Sequence, residues 1–202
     1  MREFNVVLVG VGGQGTLLAA EALGVAAVKE NLNVRVGEIH GMAQRGGAVV
    51  TTVRIGEDVL APTVLEGQAD VLVGFEPLET LRNLRYVSEK TLVIMSTEKI
   101  PPVELAAKNL SYPSVDEVVR RVRFFTENVL VVDVLRLARE AGSVLARNVV
   151  LLGAVAAAGK LPFKKDSLVE AVRELVPAKT LKVNLAAFEL GFSCIEDKLA
   201  KS

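Results

Sequence analysis

The sequence predicts an α/β protein: a doubly wound, mostly parallel sheet with helices on both faces and a helical C-terminal third. Three observations carry that prediction. Strand-like and helix-like segments alternate through the first two-thirds of the 202 residues. The strand candidates are continuous apolar runs rather than alternating ones, as strands buried on both faces are. The last third holds only helical patterns, so it must pack against the layers formed before it.

Residues 4–9 (Phe-Asn-Val-Val-Leu-Val) are the first such run, ended by glycines. A helix follows over residues 16–28, with Glu21 its only charge, so it is covered on most sides. Residues 33–36 read as a short second strand. Residues 48–55 are rich in β-branched side chains and read as a third. Two buried strands are predicted at residues 71–75 and 92–95. Between them, residues 77–84 form a short helix with Pro77 at its first position, where the missing N–H costs nothing. The segment 96–128 is less distinctive. A last strand at residues 129–132 leads into helices over 135–140, 144–158, 167–175 and 180–199. No internal repeat or linker divides the chain, so residues 1–202 are expected to form one domain.

Composition narrows the function. Basic and acidic residues balance at 24 each, which argues against a nucleic-acid partner. The one cysteine, Cys194, cannot form an internal disulfide, a thiolate zinc site or an iron–sulfur cluster. One histidine, His40, leaves little for an imidazole metal site. No apolar run approaches the roughly 20 residues of a membrane span. The N-terminus does not read as a signal peptide. The expected location is cytoplasmic, without a membrane partner.

Two glycine-rich segments are the candidate sites. Gly10, Gly12, Gly13, Gln14 and Gly15 follow the first strand and open the first helix. Such a turn lets backbone N–H groups approach a ligand, and the helix N-terminus favours an anion. Gly10, Gly12 and Gly15 alone match the dinucleotide fingerprint, and Glu38 lies near where a ribose-binding acid would sit. A stand-alone dinucleotide-binding protein, taking NAD or FAD, is therefore a rival reading. The second segment runs Glu38-Ile39-His40-Gly41-Met42-Ala43-Gln44-Arg45-Gly46-Gly47. Arg45 beside Gly46 and Gly47 suits a carboxylate or phosphate clamp. Set against these is a bland reading, in which the segment is a surface turn and His40 a hydrogen-bonded loop residue. Glu76 and Glu79 flank Pro77 at a helix start, where carboxylates complement the dipole. Glu76, at a strand end, is also open to a ligand contact. No catalytic triad can be assembled. Leu181, Leu185, Phe188, Phe192, Ile195 and Leu199 form one apolar helical stripe, which Gly191 could bend or end.

Taken together, the 10–15 loop with Gln14, the segment 38–47 and Phe75-Glu76-Pro77-Leu78-Glu79 resemble the gamma-type domain of 2-oxoacid:ferredoxin oxidoreductases. His40 and Met42 before Arg45-Gly46-Gly47 bring the segment closest to the beta subunit of the indolepyruvate-type enzymes. Residues 148–153 and 184–189 extend the likeness. The resemblance implies a Rossmann-like fold and a place in an enzyme that oxidatively decarboxylates aryl 2-oxoacids. Coenzyme A, the co-substrate, takes the acyl group, and two electrons pass to ferredoxin. The resemblance places thiamine diphosphate with its Mg and the 4Fe-4S clusters in a larger alpha subunit. This chain would hold no cofactor alone and would be inactive in isolation. Self-association through surface meant for its partner is open to the free chain.

Overall fold

The computed structural model describes residues 3–41, 46–102 and 111–201. Its centre is a six-stranded sheet of order β2-β3-β1-β4-β5-β6. Strand β1 (Phe4–Val11) is buried along its whole length. It pairs in parallel with β4 (Val71–Gly74), which continues in parallel to β5 (Leu92–Ser96) and β6 (Val129–Val132).

On its other side β1 pairs antiparallel with β3 (Ala48–Ile55), from Phe4 opposite Ile55 to Val11 opposite Ala48. Strand β2 (Val34–His40) forms the edge, antiparallel to β3. The sheet is therefore mixed. The predicted second strand is longer than residues 33–36 and turns straight back as a hairpin. Chain length explains the reversal: residues 41–47 are too few for a parallel crossover, which takes about a dozen or more. Edge placement explains why β2 is hard to see, since Arg35 and His40 face solvent.

Helices cover both faces. Under α1 (Thr16–Lys29) lie Leu8, Val53 and Ile55, and the same core continues through α4 (Val134–Ala141), α5 (Arg147–Ala157), α6 (Lys165–Leu175) and α7 (Leu181–Leu199). The opposite face is smaller. There α2 (Pro77–Arg82) and α3 (Val115–Val122) close over a second core that contains Val7, Val9, Leu72, Val93 and Met95. Helix α3 belongs to the stretch with no distinctive prediction. It carries its own start signal, because Ser114 Oγ accepts from Glu117 N–H at 3.1 Å.

The C-terminal stripe packs inward: Phe188 and Ile195 are fully buried, while Leu199 stays exposed. Gly191 neither bends nor ends α7. A Cβ there would lie 2.0 Å from the Val150 carbonyl oxygen, and one on Gly153 would lie 2.0 Å from that of Phe188. Glycine serves close helix approach at both positions. Cys194 is half-buried beside this core. Arg120, Arg121 and Arg123 are exposed, with Arg121 paired to Glu117 at 2.5 Å. None of the described helices is long and apolar enough to cross a membrane.

Candidate functional site

The glycine turn after β1 is built from two left-handed residues, Gly13 (φ 98°) and Gly15 (φ 83°). Gly15 caps α1 without a side chain, and the first turn of α1 carries no acid. The start of α1 thus has neither a side-chain cap nor an acid of its own to compete with an anion. Gly10 is required for a different reason. A Cβ there would come within 2.8 Å of both Gln14 Oε1 and Phe75 Cβ.

Gln14 is buried and faces protein. Its Oε1 accepts from Val11 N–H at 2.8 Å, and its Nε2 donates to the Phe75 carbonyl at 2.9 Å. It also donates to Glu98 Oε2 at 3.2 Å. Glu98 Oε1 in turn meets Arg147 Nη1 at 2.9 Å, and Arg147 Nη2 donates to the Gly13 carbonyl at 3.2 Å. Glu98 and Arg147 were not legible as site residues. They lie 49 positions apart, and no local pattern links them.

The two glycine-rich segments meet. Gly12 N–H donates to the Gly47 carbonyl at 2.9 Å. Beside this bond opens a crevice of about 320 Å³. Gly12, Gly13 and Gly15 form one wall, Thr16 and Leu17 of α1 another, and Glu38, His40 and Val49 the third. His40 Nε2 lies 3.0 Å from Glu38 Oε2, with the imidazole more than half exposed and the carboxylate largely covered. Opposite Glu38 in the sheet, Thr51 is fully buried, and its Oγ1 has no hydrogen-bond partner among the described residues. Gly46 is exposed in the left-handed region at φ 77°. Met42 and Arg45 lie outside the described residues.

Glu76 belongs to the scaffold rather than to an open ligand face. It is 1% exposed. Its Oε2 caps α2 by accepting from Glu79 N–H at 2.9 Å. Its Oε1 accepts from Ile100 N–H at 3.1 Å and from the Tyr112 hydroxyl. The ligand contact open to Glu76 from its strand-end position is thereby replaced by a cap, since protein donors occupy both oxygens. Tyr112 also accepts from Leu78 N–H at 3.1 Å. Burial, and then the Glu76 carboxylate, push its phenol well above the usual tyrosine range. Burial likewise raises the Glu79 carboxyl, against the opposing pull of Arg82 at 2.5 Å.

Glu38 does not stand where a ribose-binding acid stands in a dinucleotide fold. Strand β3 lies between β1 and β2, so Glu38 is two strands away from the glycine turn. A larger groove, about 570 Å³, lies elsewhere between α1, β2 and α6, and is mostly aliphatic apart from Glu21 and the Lys29–Glu174 pair. It gathers no set of groups suited to catalysis. A four-thiolate cluster does not fit this chain, whose one thiol is Cys194.

The family described as pyruvate ferredoxin/flavodoxin oxidoreductase matches residues 5–194. The indolepyruvate oxidoreductase subunit IorB of Thermococcus kodakarensis is 44% identical over 200 residues, covering 98% of this chain and 99% of that one. Among solved structures, the gamma subunit of a keto/oxoacid ferredoxin oxidoreductase from Geobacter sulfurreducens PCA superposes with a TM-score of 0.69 at 20% identity, covering 95% and 98% of the two chains. The 2-oxoglutarate:ferredoxin oxidoreductase from Magnetococcus marinus, solved with 2-oxoglutarate, coenzyme A and succinyl-CoA bound, gives a TM-score of 0.73 at 18% identity. This chain covers 32% of that longer polypeptide and is itself covered over 98%. At these identities the structural matches speak for the fold.

Proposed function

The chain belongs to the pyruvate ferredoxin/flavodoxin oxidoreductase family and is a subunit of a ferredoxin-dependent 2-oxoacid oxidoreductase, and we propose that its enzyme takes aryl 2-oxoacids of the indolepyruvate type. In that reaction the 2-oxoacid loses its carboxyl as carbon dioxide. The remaining acyl group forms a thioester with coenzyme A, and two electrons leave for ferredoxin. Thiamine diphosphate, Mg and the 4Fe-4S clusters belong to a larger alpha subunit in this reading, and residues 1–202 form one gamma-type domain in the cytoplasm. What this chain supplies is shape and backbone donors.

The crevice between the two glycine-rich segments forms, with Arg45, part of the approach for the 2-oxoacid or coenzyme A at the subunit interface. The observation that carries this reading is the Gly12–Gly47 bond, which locks both motifs into one rim at the end of β1. Strand ends are where sheets of this kind receive ligands. The open helix start and the Glu38–His40 pair give that rim polar groups with room to act.

The test is co-expression with the large subunit, followed by 2-oxoacid-dependent dye reduction. Arg45→Ala should raise the KM for coenzyme A or for the 2-oxoacid about tenfold, the loss of roughly one charge-assisted contact. Unchanged constants would remove the ligand assignment. Stoichiometric binding of NAD or FAD by the chain alone would revive the rival reading, which nothing in the relatives above favours.

A further inference from the structure

We propose that Arg147 is a positioning residue for the 10–15 loop, acting through Glu98 and Gln14 to hold the turn in its ligand-receiving shape. This rests on the reading of that loop as ligand-facing.

The location of Arg147 is unexpected for a residue serving its own helix. It is the first residue of α5, which has no side-chain cap and no acid in its first turn. A cation there opposes the helix dipole. Arg147 stands at a position where local helix energetics disfavours a cation, and its side chain is committed elsewhere. One arm of the guanidinium meets Glu98 Oε1 at 2.9 Å, and the other donates to the Gly13 carbonyl at 3.2 Å. The second Glu98 oxygen takes the Gln14 amide. Gln14 then closes the ring by binding Val11 N–H and the Phe75 carbonyl.

Among the described residues nothing lies within 4 Å of where a Cβ on Gly13 would stand, so the tip of the turn is not fixed by side-chain packing, although Gly10 and Gly15 at its two ends are closely packed. Hydrogen bonds hold the tip: Gln14 N–H to the Val11 carbonyl inside the turn, Gly12 to Gly47, and the Arg147–Glu98–Gln14 ring, with Asn148 Nδ2 donating to the Gly15 carbonyl at 3.4 Å beside them. Two of those fasteners also act within the glycine segments. The ring reaches 134 positions along the chain, from Gly13 to the start of α5, and unlike the neutral Asn148 bond it carries an ion pair and ends on the tip of the turn. Removing Arg147 strands Glu98, which is 9% exposed, beside Gln14. The buried carboxylate then competes for the Gln14 amide and for water, and the turn loses its definition. Lysine can neutralise Glu98 but lacks the fork that reaches Gly13 at the same time.

The experiment uses the assembled oxidoreductase carrying Arg147→Ala, Arg147→Lys or Glu98→Gln. Two readouts are taken: amide hydrogen exchange over residues 12–16, and kcat with the KM for each substrate. Arg147→Ala should speed exchange in that segment about tenfold and raise one KM several-fold more than it lowers kcat. The affected KM should be the one that responds to Arg45→Ala. Arg147→Lys and Glu98→Gln should fall between, and they keep the test alive if the alanine variant fails to assemble. Unchanged exchange overturns the proposal, whether or not a KM moves; a moved KM would then mean direct ligand contact by Arg147. Faster exchange with both KM values unchanged overturns the ligand-facing reading itself, and so separates the two failures.

Discussion

Gly153 and Gly191 bring helices α5 and α7 into backbone contact: each stands where a Cβ would lie 2.0 Å from a carbonyl oxygen of the other helix. Phe188, fully buried, lies on the α7 turn that meets Gly153. An exposed mid-helix glycine costs about 1 kcal/mol relative to alanine. Here that preference is reversed. Gly153→Ala or Gly191→Ala should destabilise the protein by about 1–3 kcal/mol, as overpacking against unyielding backbone does. Urea denaturation of each variant checks this; a midpoint raised above that of the parent would contradict the close-contact role.

Thr51 makes the opposite case. Its hydroxyl is buried in β3 with no partner among the described residues, an unreturned desolvation cost. Thr51→Val keeps the shape and the β-branching. It should leave stability unchanged or raise it by about 1 kcal/mol. A clear loss in thermal stability would mean that the hydroxyl has a partner the fold depends on.

Tyr112 ties residues beyond β5 to the start of α2 through Glu76 and Leu78. Tyr112→Phe should cost about 1–3 kcal/mol at neutral pH, because it leaves Leu78 N–H without its acceptor and removes one donor from a buried carboxylate. The pH dependence has a definite sign. Its phenol is raised above the usual value of 10.0, first by burial and then by Glu76. Above about pH 10 the unfolded chain gives up this proton while the folded chain keeps it. The stabilisation from Tyr112 is therefore complete below that pH and declines as pH rises past it. Denaturation curves at neutral and alkaline pH should show the parent losing more stability than the phenylalanine variant. Parallel losses would argue against the raised phenol.

Much of the fold could be read from local pattern. The apolar runs of β1, β4, β5 and β6 and the periodicity of the C-terminal helices specify burial directly. Strand direction does not reside in such patterns. Strands β2 and β3 were therefore read into a mostly parallel sheet, although the short span 41–47 already pointed to a hairpin once β2 is carried to His40. Helix α3 had legible signals in Ser114, Glu117 and the spacing of Val115, Val118, Val119 and Val122. Its charged face obscured them. At the site, the glycines and the Glu38–His40 neighbourhood were visible because turn chemistry is local. Glu98 and Arg147 were not, because an ion pair between distant segments leaves no mark on either one. Gln14 and Glu76 stood out as motif residues, yet their side chains serve the framework.

The antiparallel β3 acts as a spacer inserted into what would otherwise be a nucleotide cradle. Adjacent strands sit about 4.8 Å apart, so the acid-bearing strand stands one strand spacing further from the glycine turn than a strand paired directly with β1 would. One reversed ribbon thus separates the acid-bearing strand from the glycine turn within the sheet while keeping both on the wall of one crevice.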